Sequence, residues 1–364
     1  MVTAASPAHT ASEFEQLARL RLPLPVWDFV AGGSGGESTL AANRAALDRI
    51  ALVPRVMRDL SAPDTSCDLF GARASIPAAV APIAYQKLVH EDGELAAARA
   101  AERAGIPYVI STMSSVPLEQ IAEIGAVTWF QLYPLREQAS SRALVRRAEA
   151  AGCAALLVTV DVPWMARRLR DIRNGFTLPP QVRAANLEDD AAVGAQRPVA
   201  GDSALAVHTG AQFAAFTWPD LAELRKATSL PVIVKGVLDP ADAVRAIEAG
   251  ADGIVVSTHG GRQLDGAIAA ADALPAVSEA VGGRGRVLFD SGVRSGLDIV
   301  RALASGADAV LIGRPVLWGL AVDGEDGAHR VLTMFEHEFA DALGLAGCAD
   351  PASARRLTTW RGPR

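Results

Sequence analysis

Cysteine is scarce: Cys67, Cys153 and Cys348 are the only three in 364 residues. Their number is odd, they lie far apart, and no metal-type spacing links them. That argues against a disulfide framework or a zinc site and predicts reduced, partly buried thiols in a cytoplasmic protein. Long apolar runs are missing, and none approaches the roughly 20 residues that a membrane helix needs. The N-terminal stretch has no basic start followed by an apolar segment, so no secretion signal is expected. A basic excess is also missing. The net charge of -6 argues against general nucleic-acid binding but leaves room for a local basic pocket for a small acid. The cluster Gly32, Gly33, Gly35, Gly36 has no strand pattern before it and no Gly-Lys-Ser/Thr after it. It therefore reads as a flexible turn rather than a phosphate loop.

What is present is ordinary in amount and ordered in pattern. Half of the residues are apolar and 21% are charged, as in a soluble globular protein. Short β-branched runs alternate with alanine-rich amphipathic segments. The runs are Ala78–Ala84, Tyr108–Thr112, Thr128–Tyr133, Ala155–Val162, Val232–Gly236, Gly253–Ser257, Arg286–Asp290 and Ala309–Gly313. Helices are predicted over Glu94–Ala104, Ala143–Ala151, Ala241–Ala249 and Leu297–Ser305, several ending in Ala-Gly or Ser-Gly. Continuous apolar strands of this length suit a parallel sheet buried on both faces. Eight strand–helix units favour a TIM (β/α)8 barrel over an open doubly wound sheet, whose glycine-rich fingerprint is missing.

The sequence divides as one domain over 1–364, with a helical and irregular extension over 1–75 and the barrel over 76–347. In the extension Ser12 is a candidate helix cap, with Glu15 three residues on, and Leu40–Leu47 suggests a further short helix. About 70 residues separate Asp161 from the strand at Val232, and a connection that long is usually a functional lid or disordered. Residues 164–218 are read as that lid. The part from Gln181 to Ala214 has little periodicity, carries Glu188, Asp189, Asp190 and Asp202, and holds no long apolar run. A soluble lid follows, not a membrane anchor.

Barrel active sites lie at the C-terminal ends of the strands. The polar residues ending the runs are Ser111 and Thr112, Gln131 and Tyr133, Thr159 and Asp161, Lys235, Ser257 with His259, Asp290, and Gly313 with Arg314. The sharpest segment is Ser257–Asp265, in which His259 precedes two glycines and lies three residues before Arg262. Histidine takes protons near neutrality, and arginine presents a fork that suits a carboxylate. Lys235 ends an apolar strand. It reads either as a Schiff-base lysine or as a cation that stabilises a reduced, anionic cofactor. Glycine and arginine after the last two strands (Gly292, Arg294, Gly313, Arg314) fit a phosphate site. Phosphate beside a lysine suggests FMN or pyridoxal phosphate rather than a nicotinamide.

From about Phe14 to Gly347 the chain resembles the FMN-dependent 2-hydroxy acid oxidases and dehydrogenases, within which the likeness is greatest to hydroxymandelate oxidase. The matching segments are Ala81–Ala84, Phe130–Tyr133, Thr159–Pro163, Arg167–Arg168, Val234–Gly236, Ser257–Asp265 and Ile312–Pro315. The resemblance implies an FMN enzyme with His259 as base, supported by Asp161. Arg262, Tyr133 and Arg168 would hold the substrate carboxylate and hydroxyl. Lys235 would sit beside the flavin. Ser111, Gln131, Thr159 and Ser257 would bind around the ring, and Ala84 would pack against it. Asp290 would contact the ribityl chain, and Gly292, Arg294, Gly313 and Arg314 the phosphate. Alanine at position 84 implies oxygen as acceptor, and the family implies a homotetramer.

Three positions depart from the family pattern. Trp27 stands where a tyrosine is expected, so an indole is predicted to pack against an aromatic substrate ring. Thr258 replaces an asparagine before the base, and Ser291 replaces a glycine in the phosphate turn. The expected reaction is oxidation of an aromatic 2-hydroxy acid, such as (S)-mandelate or 4-hydroxymandelate, with hydrogen peroxide as second product. Alternatives are an aliphatic 2-hydroxy acid (glycolate or L-lactate), a flavin-dependent isomerase of the same fold, and a non-catalytic flavin-binding protein.

Overall fold

The computed structural model describes residues 8–361; of Asp189 and Asp190 only the backbone is described. The first seven residues of the stretch inspected for a leader lie outside it. Eight parallel strands close into a barrel. They are β1 (Ala78–Val80), β2 (Tyr108–Ser111), β3 (Thr128–Leu132), β4 (Ala155–Thr159), β5 (Val232–Val237), β6 (Gly253–Val256), β7 (Arg286–Phe289) and β8 (Ala309–Ile312). Each pairs with the next, and Val310–Ile312 of β8 pairs with Ala78–Val80 of β1. The predicted TIM barrel is therefore present, and each predicted apolar run holds one strand.

Alternation along the strands builds two buried cores. Val109, Trp129, Leu157, Ile233, Val255, Leu288 and Leu311 form one cluster. Their neighbours Ile110, Phe130, Leu156, Val234, Ile254 and Phe289 join the larger one with the helices. Successive strand side chains point to opposite faces, so both faces being buried requires an apolar residue at nearly every position. A hairpin, Cys67–Leu69 with Ala72–Ala74, joins the first cluster, and Phe70 meets Trp129 edge-on at 5.4 Å.

The extension carries three helices: α1 (Ala11–Arg21), α2 (Leu24–Ala31) and α3 (Ser38–Asp48). The cap of α1 is Thr10 rather than Ser12. The Thr10 hydroxyl accepts the Glu13 amide, and Glu13 accepts the amides of His9 and Thr10. Ser12 and Glu15 offer the same spacing two residues later, inside the first turn, where no free N-terminal amide needs their help. The extension is also not purely helical, because Ile50–Leu52 pairs antiparallel with Thr359–Arg361 near the C-terminus.

The glycine cluster is pinned, not flexible. Ser34 donates its amide to the Gly261 carbonyl (3.0 Å), Gly35 to that of Arg167 (3.1 Å) and Gly36 to Asp265 (2.8 Å). A Cβ on Gly33 would lie 2.8 Å from the Gly261 carbonyl oxygen, so glycine is needed there for close approach.

The long connection contains short helices, Leu169–Asn174, Asp189–Ala192 and Ala204–Gly210, before Trp218–Ala227 leads back to β5. It buries Leu178, Val182, Ala184, Ala195 and Leu205 in the main core. It is anchored by a bridge between Leu135 and Phe213. Small, widely spaced apolar residues explain why its order is invisible as periodicity. Among the described residues, no helix is long and apolar enough to cross a membrane, and no cluster of potential ligands could hold a metal ion. Cys153 and Cys348 are buried and Cys67 is half-buried, all three as free thiols.

Candidate active site

The strand ends converge on one cavity at the C-terminal mouth of the barrel. Ser111, Thr159, Lys235, His259, Asp290 and Gly313 line it from six of the strand ends, with Ala84 and Tyr133 beside them. Arg168 enters from the long connection, and Gly292, Arg294, Arg262 and Arg314 complete the wall. Gln131 and Ser257 are buried just behind: Gln131 donates to Thr159 Oγ1 (3.0 Å) and accepts from Ser111 (3.3 Å).

His259 follows β6 in a left-handed conformation (φ 56). Its Nδ1 lies 2.9 Å from Asp161 Oδ1, and its Nε2 lies 3.2 Å from the Tyr133 hydroxyl. Burial pushes the Asp161 carboxyl up, but His259 and Lys235 outweigh that and hold it below its ordinary range. A carboxylate only accepts, so Nδ1 carries the proton and the Nε2 lone pair faces Tyr133. Burial pulls the imidazole below its ordinary pKa, and the Asp161 charge offsets this only in part. His259 is thus neutral and able to accept a proton at neutral pH.

Lys235 is buried and pairs with Asp290 (3.0 Å) and Ser257 (3.0 Å). Burial disfavours its charge, yet Asp290 and Asp161 more than compensate, so the ammonium persists. A lysine held as a cation is a poor amine nucleophile, which disfavours the Schiff-base reading.

Two arginine pairs stand out. The Arg262 and Arg168 guanidinium carbons lie 5.1 and 5.9 Å from the Phe29 ring centre. Arg262 donates to the carbonyls of Phe29 (2.7 Å) and Gly32 (2.9 Å), and Arg168 Nε is buried without a partner. Burial, and then Arg168, push Arg262 well below its ordinary pKa. Arg314 donates to the carbonyls of Val30, Gly260 and Gly32, sharing the last with Arg262. Arg294 stacks over Trp318 at 4.9 Å. Burial, and then repulsion from Arg294, push Arg314 down to about 9, and burial pushes Arg294 down to about 10. Among the described residues, none of these four makes an ion pair with a carboxylate within 4.0 Å. Like charges gathered in desolvated surroundings without a carboxylate partner fit anionic ligands. A carboxylate and a phosphate meet that requirement, and the pair at the ends of β7 and β8 sits where barrels bind phosphate. The donor set thus fits FMN.

Trp27 is not on this cavity. It is buried in α2 under the Arg19 guanidinium, 5.9 Å from its ring. Phe29 occupies the place expected for it. Two residues along a helix turn a side chain by about 200°, so Trp27 faces away when Phe29 faces inward. The usable signal is the spacing from Phe29 to Gly32, whose carbonyls share Arg262. The sequence pattern also fails to mark Met113, Met165, Leu205, Thr209 and Phe213, which make the remaining wall mostly apolar. Four of these belong to the long connection or its edges, where no motif distinguishes them.

A family model described as FMN-dependent dehydrogenase matches residues 18–361. The 4-hydroxymandelate oxidase of Amycolatopsis orientalis is 54% identical over 96% of this chain and 98% of its own length. An L-lactate oxidase of a Nostoc species is 46% identical over 96% and 97%. Human 2-hydroxyacid oxidase 1 is 42% identical over 93% and 92%. A crystal structure of mandelate oxidase with (S)-4-hydroxymandelic acid superposes with a TM-score of 0.96 at 54% identity, covering 98% of this chain and 99% of that one. Sequence, fold and donor set agree, and the chain belongs to the FMN-dependent dehydrogenase family, whose cofactor is FMN.

Proposed function

We propose that this enzyme oxidises an aromatic (S)-2-hydroxy acid, mandelate or 4-hydroxymandelate, to the 2-keto acid, with oxygen as final acceptor and hydrogen peroxide as product. The observation that carries this reading is the neutral His259 beside the Arg168–Arg262 pair. A base and a carboxylate clamp line one cavity, whose remaining wall is mostly apolar. FMN, when bound, supplies the two-electron acceptor. Arg294, Arg314 and the backbone at Gly292 and Gly313 would hold its phosphate. Asp290 would meet the ribityl chain, and Ser111, Gln131, Thr159, Ser257 and Lys235 would surround the ring, with Ala84 against it.

Arg262 and Arg168 orient the substrate carboxylate, which replaces the counter-charge that both lack. The Tyr133 hydroxyl, 3.2 Å from Nε2, positions the substrate hydroxyl next to the base. His259 Nε2 takes the proton released as the hydroxyl-bearing carbon is oxidised. Asp161 keeps the ring in the required tautomer and stabilises the imidazolium that forms. Phe29, Met113, Met165, Leu205 and Phe213 exclude water and give a ring a surface to lie on. The hydroxyls of Thr209 and Tyr85, neighbours in that wall, support a ring that itself carries a hydroxyl. Residues 164–218 act as the lid over this end, and a homotetramer in the cytoplasm is the expected assembly and location.

Anaerobic stopped-flow reduction with (S)-mandelate, 4-hydroxymandelate, glycolate and L-lactate tests the substrate class. The aromatic acids should reduce the flavin fastest, and an aliphatic acid ahead of both would overturn the reading. Hydrogen peroxide release under air then separates oxidase from dehydrogenase.

A further inference from the structure

Ser291, two residues past the end of β7, is buried and adopts φ 79, a conformation that favours glycine. A side chain there is strained unless its surroundings reward it, and its hydroxyl is fully used. Oγ accepts the amides of Thr258 (3.1 Å) and Gly260 (3.1 Å) and donates to Asp290 Oδ1 (2.7 Å). Those two amides flank His259, which is itself left-handed at φ 56. The amide of His259 is taken by Ser257 Oγ at 2.9 Å. Two serine hydroxyls therefore hold three consecutive amides around the base.

The bonds close into a ring. Ser257 accepts from Lys235 (3.0 Å), Lys235 pairs with Asp290 Oδ2 (3.0 Å), and Asp290 returns to Ser291. Thr258 braces the same turn from the other side. Its hydroxyl accepts from Asn43 (2.8 Å) and caps the Gly261 amide (3.2 Å).

We propose that Ser291 is a positioning residue. Its hydroxyl holds the His259 turn in the conformation that sets Nε2 against Tyr133, and it ties that turn to the Asp290–Lys235 pair. The proposal rests on His259 being the base, which His259→Gln tests separately: turnover retained in that variant would sink the base assignment whatever Ser291 does.

Two substitutions separate hydroxyl from strain. Ser291→Ala keeps the strained Cβ and loses the hydroxyl. Ser291→Gly loses both and suits the backbone, so it should fold even where alanine does not. FMN-loaded variants are compared with wild type for reduction by (S)-mandelate per bound flavin. Melting of the flavin-free proteins and amide exchange at Thr258 and Gly260 are measured alongside. Both variants should reduce about ten- to a hundredfold more slowly at saturating substrate, with KM changed by less than about twofold. Exchange at both amides should quicken even where the glycine variant melts no lower than wild type. A glycine variant that matches wild type per bound flavin overturns the proposal. So does a loss of activity that follows FMN occupancy alone.

Discussion

A single backbone conformation puts the proposed base in place. His259 at φ 56 is costly for a residue with a Cβ, and local hydrogen bonds hold it there. Strain of this kind concentrates where geometry must be held for function, and Tyr85 (φ 58) and Ser291 (φ 79) share the cavity wall with it. The electrostatics of His259 give a prediction with a definite sign. Burial lowers its pKa and the Asp161 charge raises it. Its base form therefore persists below the ordinary value, and kcat/KM for the aromatic acid should fall only as pH drops through that lowered pKa. In Asp161→Asn the raising influence is gone. The acid limb of the kcat/KM profile should move to lower pH while the plateau falls by about 10²-fold or more. A limb that stays in place or moves up would show that a different group controls protonation.

At the scale of one helix, α2 shows how a two-residue shift changes chemistry. Trp27 and Phe29 are both buried aromatics on Leu24–Ala31. Only Phe29 lies under the Arg168–Arg262 pair. Phe29→Leu nearly conserves volume but removes the ring face. Losing a contact of about 1 kcal/mol should raise KM for the acid by about fivefold. Trp27→Phe should leave KM unchanged and act only on thermal stability. Steady-state kinetics on the two variants checks both, and the reverse pattern would restore Trp27 to the site. α3 acts in a similar indirect way. Its Asn43 reaches Thr258 and accepts the Ala270 amide, so the extension helps shape the base turn.

For the molecule as a whole, the part of the cavity proposed to hold the cofactor phosphate is assembled from distant parts of the chain. Arg294 follows β7, Arg314 follows β8, and the carbonyls that hold Arg314 belong to α2, the glycine turn and the base turn. Two half-buried arginines without a carboxylate partner should cost the fold stability until an anion joins them, so cofactor binding and stability should be linked. FMN at about 100 times its Kd should stabilise the flavin-free protein by about 2.7 kcal/mol. Riboflavin, which has the same ring but no phosphate, should give a much smaller rise in Tm at equal concentration. Arg314→Met should shrink the difference between the two. Equal protection by FMN and riboflavin in the wild type would place the phosphate elsewhere.

Much of this architecture is legible in the amino-acid sequence. The eight apolar runs need no tertiary information, because a parallel barrel strand is buried on both faces and records that at nearly every position. The gathering of His259, Arg262, Lys235, Arg294 and Arg314 at one cavity is equally legible, because each closes or follows a strand and the fold sends all strand ends to one side. Other features leave no local trace. The order of the long connection rests on scattered small residues, and the cap at Thr10 competes with an identical spacing at Ser12. The facing of Phe29 rather than Trp27 depends on helix phase against the barrel, which neighbouring aromatics cannot reveal. Thr258 and Ser291 are the plainest case. Singly they look like two unrelated departures, and in space one hydroxyl bonds the other's amide at 3.1 Å. Local residue types and their periods set the barrel and nominated its chemistry. Pairings across the chain, invisible to any window of sequence, set how the base is held.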